Sequence, residues 1–373
     1  MIELRDVNFN ALHMPIYQTV VFRQPGITQT SDRGFELKYS REENPTVREL
    51  ELMLAELEKG KDALAFNSGM ASISALYLSL LRAGDEIVLS MEGYGTTIQL
   101  AQEFKKFGIR VKLAYPDADS IVGTITENTR LVFLETMTNP TLKVIDVPEV
   151  INRAKETGAL VAVDNTFTTP LLYNPLEDKA DFVIHSLTKY IAGHNDVLGG
   201  SIIWKKSEFS EMLWHWRRRL GGIIQPLEAW LIKRGLKTLE VRFEKQSKSA
   251  LAIAEFLCEH PKVERVMYPG LKNDPYHSTA VKLFKRKLFG GVVTFEIKGD
   301  TRKFLSSLRV IFPSPSLGGT ESLASCPVIS AAKTMSEEQR KILGITPRLI
   351  RLSVGLEDVD KLIEDLDKAL GGG

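Results

Sequence analysis

Six short apolar runs recur between residues 63 and 185: ALAF (63–66), EIVLS (86–90), IRVKLA (109–114), LVFLET (131–136), ALVAVD (159–164) and DFVIH (181–185). Helical periodicity separates most of them, as in IQLAQEFKKFG and VPEVINRAKETG. Runs that are apolar at successive positions, rather than alternate ones, predict strands buried on both faces. Strands alternating with helices predict a mostly parallel sheet, whose ligands bind at the carboxyl ends of the strands. Before the first run, ENPTVRELELMLAELEKG carries a helix start: Asn44 can cap, Pro45 suits the first position, and Leu50, Leu54 and Leu57 keep helical spacing. A long helical pattern from Pro226 to His260 is expected to break or bend near Gly235. Beyond it the strand signals are sparser (GGVVTFEIKG, RVIFPS, RLIRLSVG) and an amphipathic helix follows, VDKLIEDLDKAL. The expectation is an α/β protein with an irregular arm over residues 1–44, a large domain over 45–240 and a smaller α+β domain over 241–373.

Charge changes the picture only by exclusion. With 48 basic and 47 acidic residues the net charge of +1 offers no field for nucleic acid or a membrane surface. The aromatic-basic WHWRRR at 214–219 therefore reads as a solvated helix or a subunit contact. The two cysteines, Cys258 and Cys326, lack CxxC spacing, which fits a reducing compartment, and Cys258 reads as core. His185, His194, His215 and His277 form no metal-binding pattern, so no metal is expected. MIELRDVNFN holds no apolar targeting core and no run approaches 18 apolar residues, so a cytoplasmic location is expected.

Polar groups collect where the strands stop. Ser68, Gly69 and Met70 follow the first run and open a helix, whose free N–H groups and dipole favour an anion; Ser68 serves equally as an ordinary cap. Ser186 and Thr188 could add hydroxyls to the same anion. Asp164 ends its run as a carboxylate that is capping, paired or held for chemistry. Lys189 ends the next run; a buried amine beside a phosphate site points to a Schiff base with an aldehyde cofactor, and an acid on a pyridinium nitrogen would complete the needs of pyridoxal phosphate. Glu135 and Asn139 follow LVFL.

PIYQTVVF (15–22), YSREENPT (39–46), NSGMASISA (67–75), EGYGTT (92–97), ETMTNPTLKVID (135–146), VAVDNTF (161–167), HSLTKYIAGHNDVLGG (185–200), SLGGTESL (316–323) and RLSVGLED (351–358) together resemble the Cys/Met-metabolism family of pyridoxal-phosphate enzymes. This family includes cystathionine γ-synthase, cystathionine γ-lyase and methionine γ-lyase. The resemblance implies the aspartate-aminotransferase-like (type I) transferase fold and a homodimer unit paired into a tetramer. It implies that Lys189 carries the cofactor, Asp164 pairs with its ring nitrogen and Tyr94 stacks on the ring and assists proton transfer. Gly69, Met70, Ser186 and Thr188 would hold the phosphate, and Asn139 would lie near the ring hydroxyl. Arg351, helped by Ser316, would clamp the substrate carboxylate, and Tyr39 and Arg41 would reach a neighbouring subunit's phosphate. Members that cleave methionine usually carry Cys where this chain has Thr96. Members that process cystathionine usually carry Arg and Glu where it has Gln99 and Pro315, and CPVISAA replaces the usual P-x-x-MTH.

The expected reaction is γ-replacement on an activated homoserine, with γ-elimination by a γ-lyase as the alternative. A nucleotide-binding Rossmann protein would need a GxGxxG that NSGMAS does not supply. A non-catalytic cofactor-binding regulator is disfavoured by the joint presence of Lys189, Asp164, Tyr94 and Arg351.

Overall fold

A computed structural model describes residues 12–23 and 37–371, so the arm expected over 1–44 falls only partly within the described residues. The first helix, Pro45–Leu57, starts as its sequence dictates: Asn44 Oδ1 accepts the Thr46 N–H at 3.0 Å, a cap of the kind that contributes about 1 kcal/mol. Leu50 and Leu54 are buried, packing that helix onto the first strand.

Seven strands form the large sheet: β1 (Asp62–Phe66), β2 (Glu86–Ser90), β3 (Arg110–Ala114), β4 (Thr129–Glu135), β5 (Leu160–Asp164), β6 (Phe182–Ser186) and β7 (Gly200–Trp204). Their order is β1-β7-β6-β5-β4-β2-β3. Strands β2 to β6 run parallel, whereas β7 is antiparallel to both β1 and β6. Strand β7 is absent from the sequence expectation because it opens on the Gly199–Gly200 pair that reads as loop. Those glycines are instead a close approach. A Cβ on Gly200 would fall 2.2 Å from the Ser68 carbonyl, so β7 passes directly against the turn that opens the Gly69–Leu80 helix.

One apolar cluster on the first face of this sheet joins Leu50, Val132, Val163 and Phe243 and continues to the second sheet through Phe295 and to the Val359–Leu370 helix through Leu366. The other face carries Tyr77, Phe133, Phe182 and Trp204. The second sheet has the order β10-β11-β12-β9-β8, with β8 (Val263–Met267), β9 (Val292–Ile297), β10 (Phe312–Pro313), β11 (Leu323–Ser325) and β12 (Leu349–Ser353). The long helical pattern is two helices, Pro226–Leu236 and Leu239–Glu259, and the break falls just past Gly235. Gly235 itself is helical and serves packing, since a Cβ there would sit 2.1 Å from the Ala192 carbonyl.

Two expectations are corrected. Cys258 is exposed: Leu257 takes the core side of the helix, and its neighbour is turned about 100° away. The helix holding WHWRRR, Glu208–Leu220, is not simply solvated, since Trp214 and Arg217 are buried. Arg217 ion-pairs with Glu51 and donates to the Glu42 carbonyl at 2.8 Å. Among the described residues no helix is long and apolar enough to cross a membrane, and no group of His, Cys, Asp and Glu is placed to hold a metal ion.

Candidate active site

Strand β6 ends at Ser186 and turns tightly, with the Lys189 N–H on the Ser186 carbonyl at 3.1 Å and the Gly193 N–H on the Lys189 carbonyl at 2.8 Å. Arg242 braces this turn from the long helix, donating to the carbonyls of Tyr190 at 2.9 Å and Gly235 at 2.8 Å. The Tyr190 hydroxyl accepts the Gly291 N–H at 3.2 Å and so ties the turn to the second sheet. So held, Lys189 Nζ donates to Ser316 Oγ at 2.9 Å. Ser316 adopts φ +98°, a conformation that residues with a Cβ rarely take. Its carbonyl accepts from Arg351 of β12 at 3.0 Å. The other arm of the guanidinium donates to Asn139 Oδ1 at 2.9 Å, while Arg351 Nε is buried without a partner.

Lys189, Ser316, Arg351 and Asn139 therefore converge from four separate segments, with no carboxylate hydrogen-bonded to either cation among the described residues. Burial, reinforced by the Arg351 charge, brings the Lys189 amine down to about 8; burial brings the Arg351 guanidinium to about 10, still cationic at neutral pH.

Asp164 and Glu135 close the neighbouring parallel strands β5 and β4, paired in register. Asp164 Oδ1 accepts from the Thr166 hydroxyl at 2.5 Å and the Thr166 N–H at 3.0 Å. Burial raises the Asp164 carboxyl, while the Thr166 bonds and the charge of His185 oppose the rise. His185 is itself buried on Glu58 at 2.6 Å.

Ser68 Oγ caps the Gly69–Leu80 helix through the Ala71 N–H at 3.1 Å, leaving the Gly69 and Met70 N–H groups at the helix mouth. Ser186 stands at that mouth: a Cβ on Gly69 would come 3.3 Å from the Ser186 Cβ, so glycine leaves the cradle open. Thr188 is engaged elsewhere, its hydroxyl exchanging hydrogen bonds with Gly199 at 3.0 and 3.3 Å. Tyr94 heads the Gly95–Glu103 helix with its ring half exposed and its N–H on Glu135 Oε1 at 2.5 Å. Tyr39 and Arg41 are not gathered with these groups. Arg41 lies 5.3 Å from the Tyr39 ring and donates to the Arg218 carbonyl at 3.1 Å.

The donor set fits pyridoxal phosphate. A helix mouth with Ser186 beside it could hold a dianion, a weakly basic amine could meet an aldehyde, and Asp164 could meet a ring nitrogen. Sequence reasoning gave Glu135 no role, noted Thr166 after Asp164 without giving it one, and overlooked the Glu58–His185 pair. One signal was available, since LVFLE and LVAVD are similar apolar runs that each end in an acid.

Comparison with known proteins agrees. A model of the family described as Cys/Met metabolism PLP-dependent enzyme matches residues 2–371. A cystathionine gamma-lyase of Bacillus subtilis strain 168 is 39% identical over 98% of this chain and 96% of its own length. A cystathionine gamma-synthase of Mycobacterium bovis is also 39% identical, over 98% of this chain and 94% of its own. The crystal structure of cystathionine gamma-lyase from Lactobacillus plantarum complexed with L-serine superposes with a TM-score of 0.93 at 34% identity, covering 99% of this chain and 96% of that one. An α/β framework that opens Lys189, Asp164 and a helix mouth at adjoining strand ends, matched over nearly its whole length, belongs to the Cys/Met metabolism family of pyridoxal-phosphate-dependent enzymes.

Proposed function

We propose that this enzyme catalyses γ-replacement, forming L-cystathionine from an activated L-homoserine ester and L-cysteine. When bound, pyridoxal phosphate withdraws electrons from the substrate and makes its Cα and Cβ protons removable. Lys189, Asp164, Tyr94, Gly69, Met70, Ser186 and Asn139 hold the cofactor in this reading, and Thr188 joins them by turning its hydroxyl proton from the Gly199 carbonyl to the phosphate. Arg351 grips the α-carboxylate with two parallel N–H groups, and its unpartnered Nε adds a donor. Ser316 orients Lys189 Nζ, which would take the Cα and then the Cβ proton as the ester's acid leaves Cγ, and return protons at Cβ and Cα once the thiol of cysteine has added at Cγ, the thiol's own proton leaving with the released acid.

The observation that carries the choice of reaction is the cavity of about 520 Å³ opening from Ser316. Leu198, Phe312 and Pro315 give it an apolar wall and Asp196 and Glu321 an acidic one, and among the described residues no Lys or Arg lines it. Pro315 lines it in place of the family's usual acid, leaving only Asp196 and Glu321 for the distal ammonium of cystathionine, and Gln99 supplies no cation for its distal carboxylate. Losing such a contact costs about 2–5 kcal/mol. A γ-lyase must bind whole cystathionine firmly, whereas a γ-synthase needs room only for an ester group and then for cysteine. The expected outcome is a higher kcat/KM for cystathionine formation from an activated homoserine than for 2-oxobutyrate release from cystathionine, compared at one pH and temperature. Faster release than formation from every ester tried would assign γ-elimination instead, a reading kept open by the equal identity of the B. subtilis γ-lyase and M. bovis γ-synthase.

The same proposal includes a homodimer unit, paired into a tetramer, in which Tyr39 and Arg41 complete the adjacent subunit's phosphate site. It is supported by the contact of Arg41 with the Glu208–Leu220 helix of its own chain, away from the Lys189 cluster, and by the exposed Val20 and Val21, the latter paired with Tyr39. Mixing Arg41→Ala with Lys189→Ala subunits should restore activity toward about a quarter of the wild-type value, because one site in each mixed dimer is intact. If subunits exchange and activity stays absent, the arm does not cross.

A further inference from the structure

Glu135 is a buried carboxylate that the scheme above leaves without a task. It stands beside Asp164 on the same face of adjacent parallel strands, which lie about 5 Å apart. Its Oε1 accepts the Tyr94 N–H at 2.5 Å, and the preceding residue passes so close that a Cβ on Gly93 would sit 2.9 Å from the same oxygen. Across Gly93, Glu92 is fastened by Lys143 Nζ at 2.7 Å and the Thr141 N–H at 2.7 Å, so the Tyr94 turn is gripped by one carboxylate on each side.

The groups around Glu135 do not neutralise it. Asp164 faces it from β5, and Glu92, with Lys143 already committed to it, faces it from the turn after β2. Tyr77 contributes an unpartnered hydroxyl from the Gly69–Leu80 helix, whose ionisation the Asp164 charge opposes. His185 of β6 acts on Asp164 and is held by Glu58. Burial, with Asp164 and Glu92 adding to it, pushes the Glu135 carboxyl well above the usual range, against the pull of the Tyr94 N–H. Asp164, with its Thr166 donors, is the member of the pair better placed to ionise.

We propose that Glu135 is a positioning residue: a carboxylic acid that keeps its proton beside ionised Asp164 and, through the Tyr94 N–H, fixes the Tyr94 ring over the cofactor. The inference rests on the reading of Tyr94 and Asp164 as the groups that meet the cofactor ring. Glutamine at 135 keeps the acceptor oxygen and is always neutral, whereas alanine removes the acceptor. Holoenzymes of wild type, Glu135→Gln and Glu135→Ala are compared by circular dichroism in the visible cofactor band and by kcat/KM across pH. Glu135→Gln should keep the dichroic band, stay within about threefold of wild type near neutral pH, and lose the alkaline fall-off that Glu135 ionisation imposes. Glu135→Ala should lose much of the band and on the order of tenfold to a hundredfold in kcat/KM.

A Glu135→Gln enzyme as impaired as Glu135→Ala would mean that the ionised carboxylate is needed, and a Glu135→Ala enzyme identical to wild type would mean that no anchor exists; either overturns the proposal. Should the alanine variant fail to fold, infrared spectroscopy decides. Wild type should show the carbonyl stretch of a protonated carboxylic acid that Glu135→Gln lacks, and its absence from wild type refutes the idea. Failure of the underlying reading shows separately, as an Asp164→Asn enzyme whose cofactor spectrum is unchanged.

Discussion

Lys189→Ala is expected to lower turnover by about a thousandfold or more and to leave no cofactor fixed to the chain after borohydride reduction, whereas wild type carries it on Lys189 by peptide mapping. A positioned base alone contributes roughly 10²–10⁴-fold, and Lys189 is also the amine that would bind the aldehyde. Its placement favours both tasks. An amine drawn down to about 8 is already about a tenth unprotonated at neutral pH, whereas an ordinary lysine near 10.4 is almost wholly protonated there. The sign of the pH dependence follows: the free amine is the minor form below about 8, so cofactor attachment to the cofactor-free enzyme should quicken about tenfold per pH unit there and level off above it. Recovery of the reduced adduct on any other lysine would overturn the assignment.

Arg351→Lys is expected to raise KM for the amino-acid substrate by about two orders of magnitude while cofactor content holds. Arg351 sits in β12 with one nitrogen on Asn139 and another on Ser316, a geometry that a planar fork satisfies and a single ammonium does not. Losing a desolvated charge contact costs about 2–5 kcal/mol, each 1.4 kcal/mol being tenfold in affinity. Steady-state kinetics, with the visible band measured in parallel, checks this; a KM equal to wild type would remove Arg351 from the carboxylate site.

What could be read from the sequence was set by how local each signal is. Strands β2, β4, β5 and β6 announce themselves because burial on both faces leaves three or more successive apolar residues in each. Strand β8, VERVM, does not, since its Glu264 and Arg265 face solvent. Strand β7 hides behind its own glycines. In the site, Lys189 and Asp164 stand out as polar ends to apolar runs. The Asn139–Arg351 contact joins residues 212 apart in sequence, and only the meeting of two sheets creates it. Glu135 was visible as a letter, but its partner is decided by strand register. The roles proposed for Tyr39 and Arg41 need a second chain, which one sequence does not display.

Ser316 touches both ends of the proposed substrate site, its hydroxyl on the Lys189 amine and its carbonyl on the Arg351 guanidinium. One residue spanning the two contacts makes a gauge of fixed length. An α-amino acid, whose amine and carboxylate branch from one carbon, matches the gauge. A β-amino acid, longer by one methylene, satisfies one contact at the expense of the other. Under the proposed function, selection for α-amino acids would be built into a single backbone position, upstream of anything the cavity beyond it does to choose among side chains.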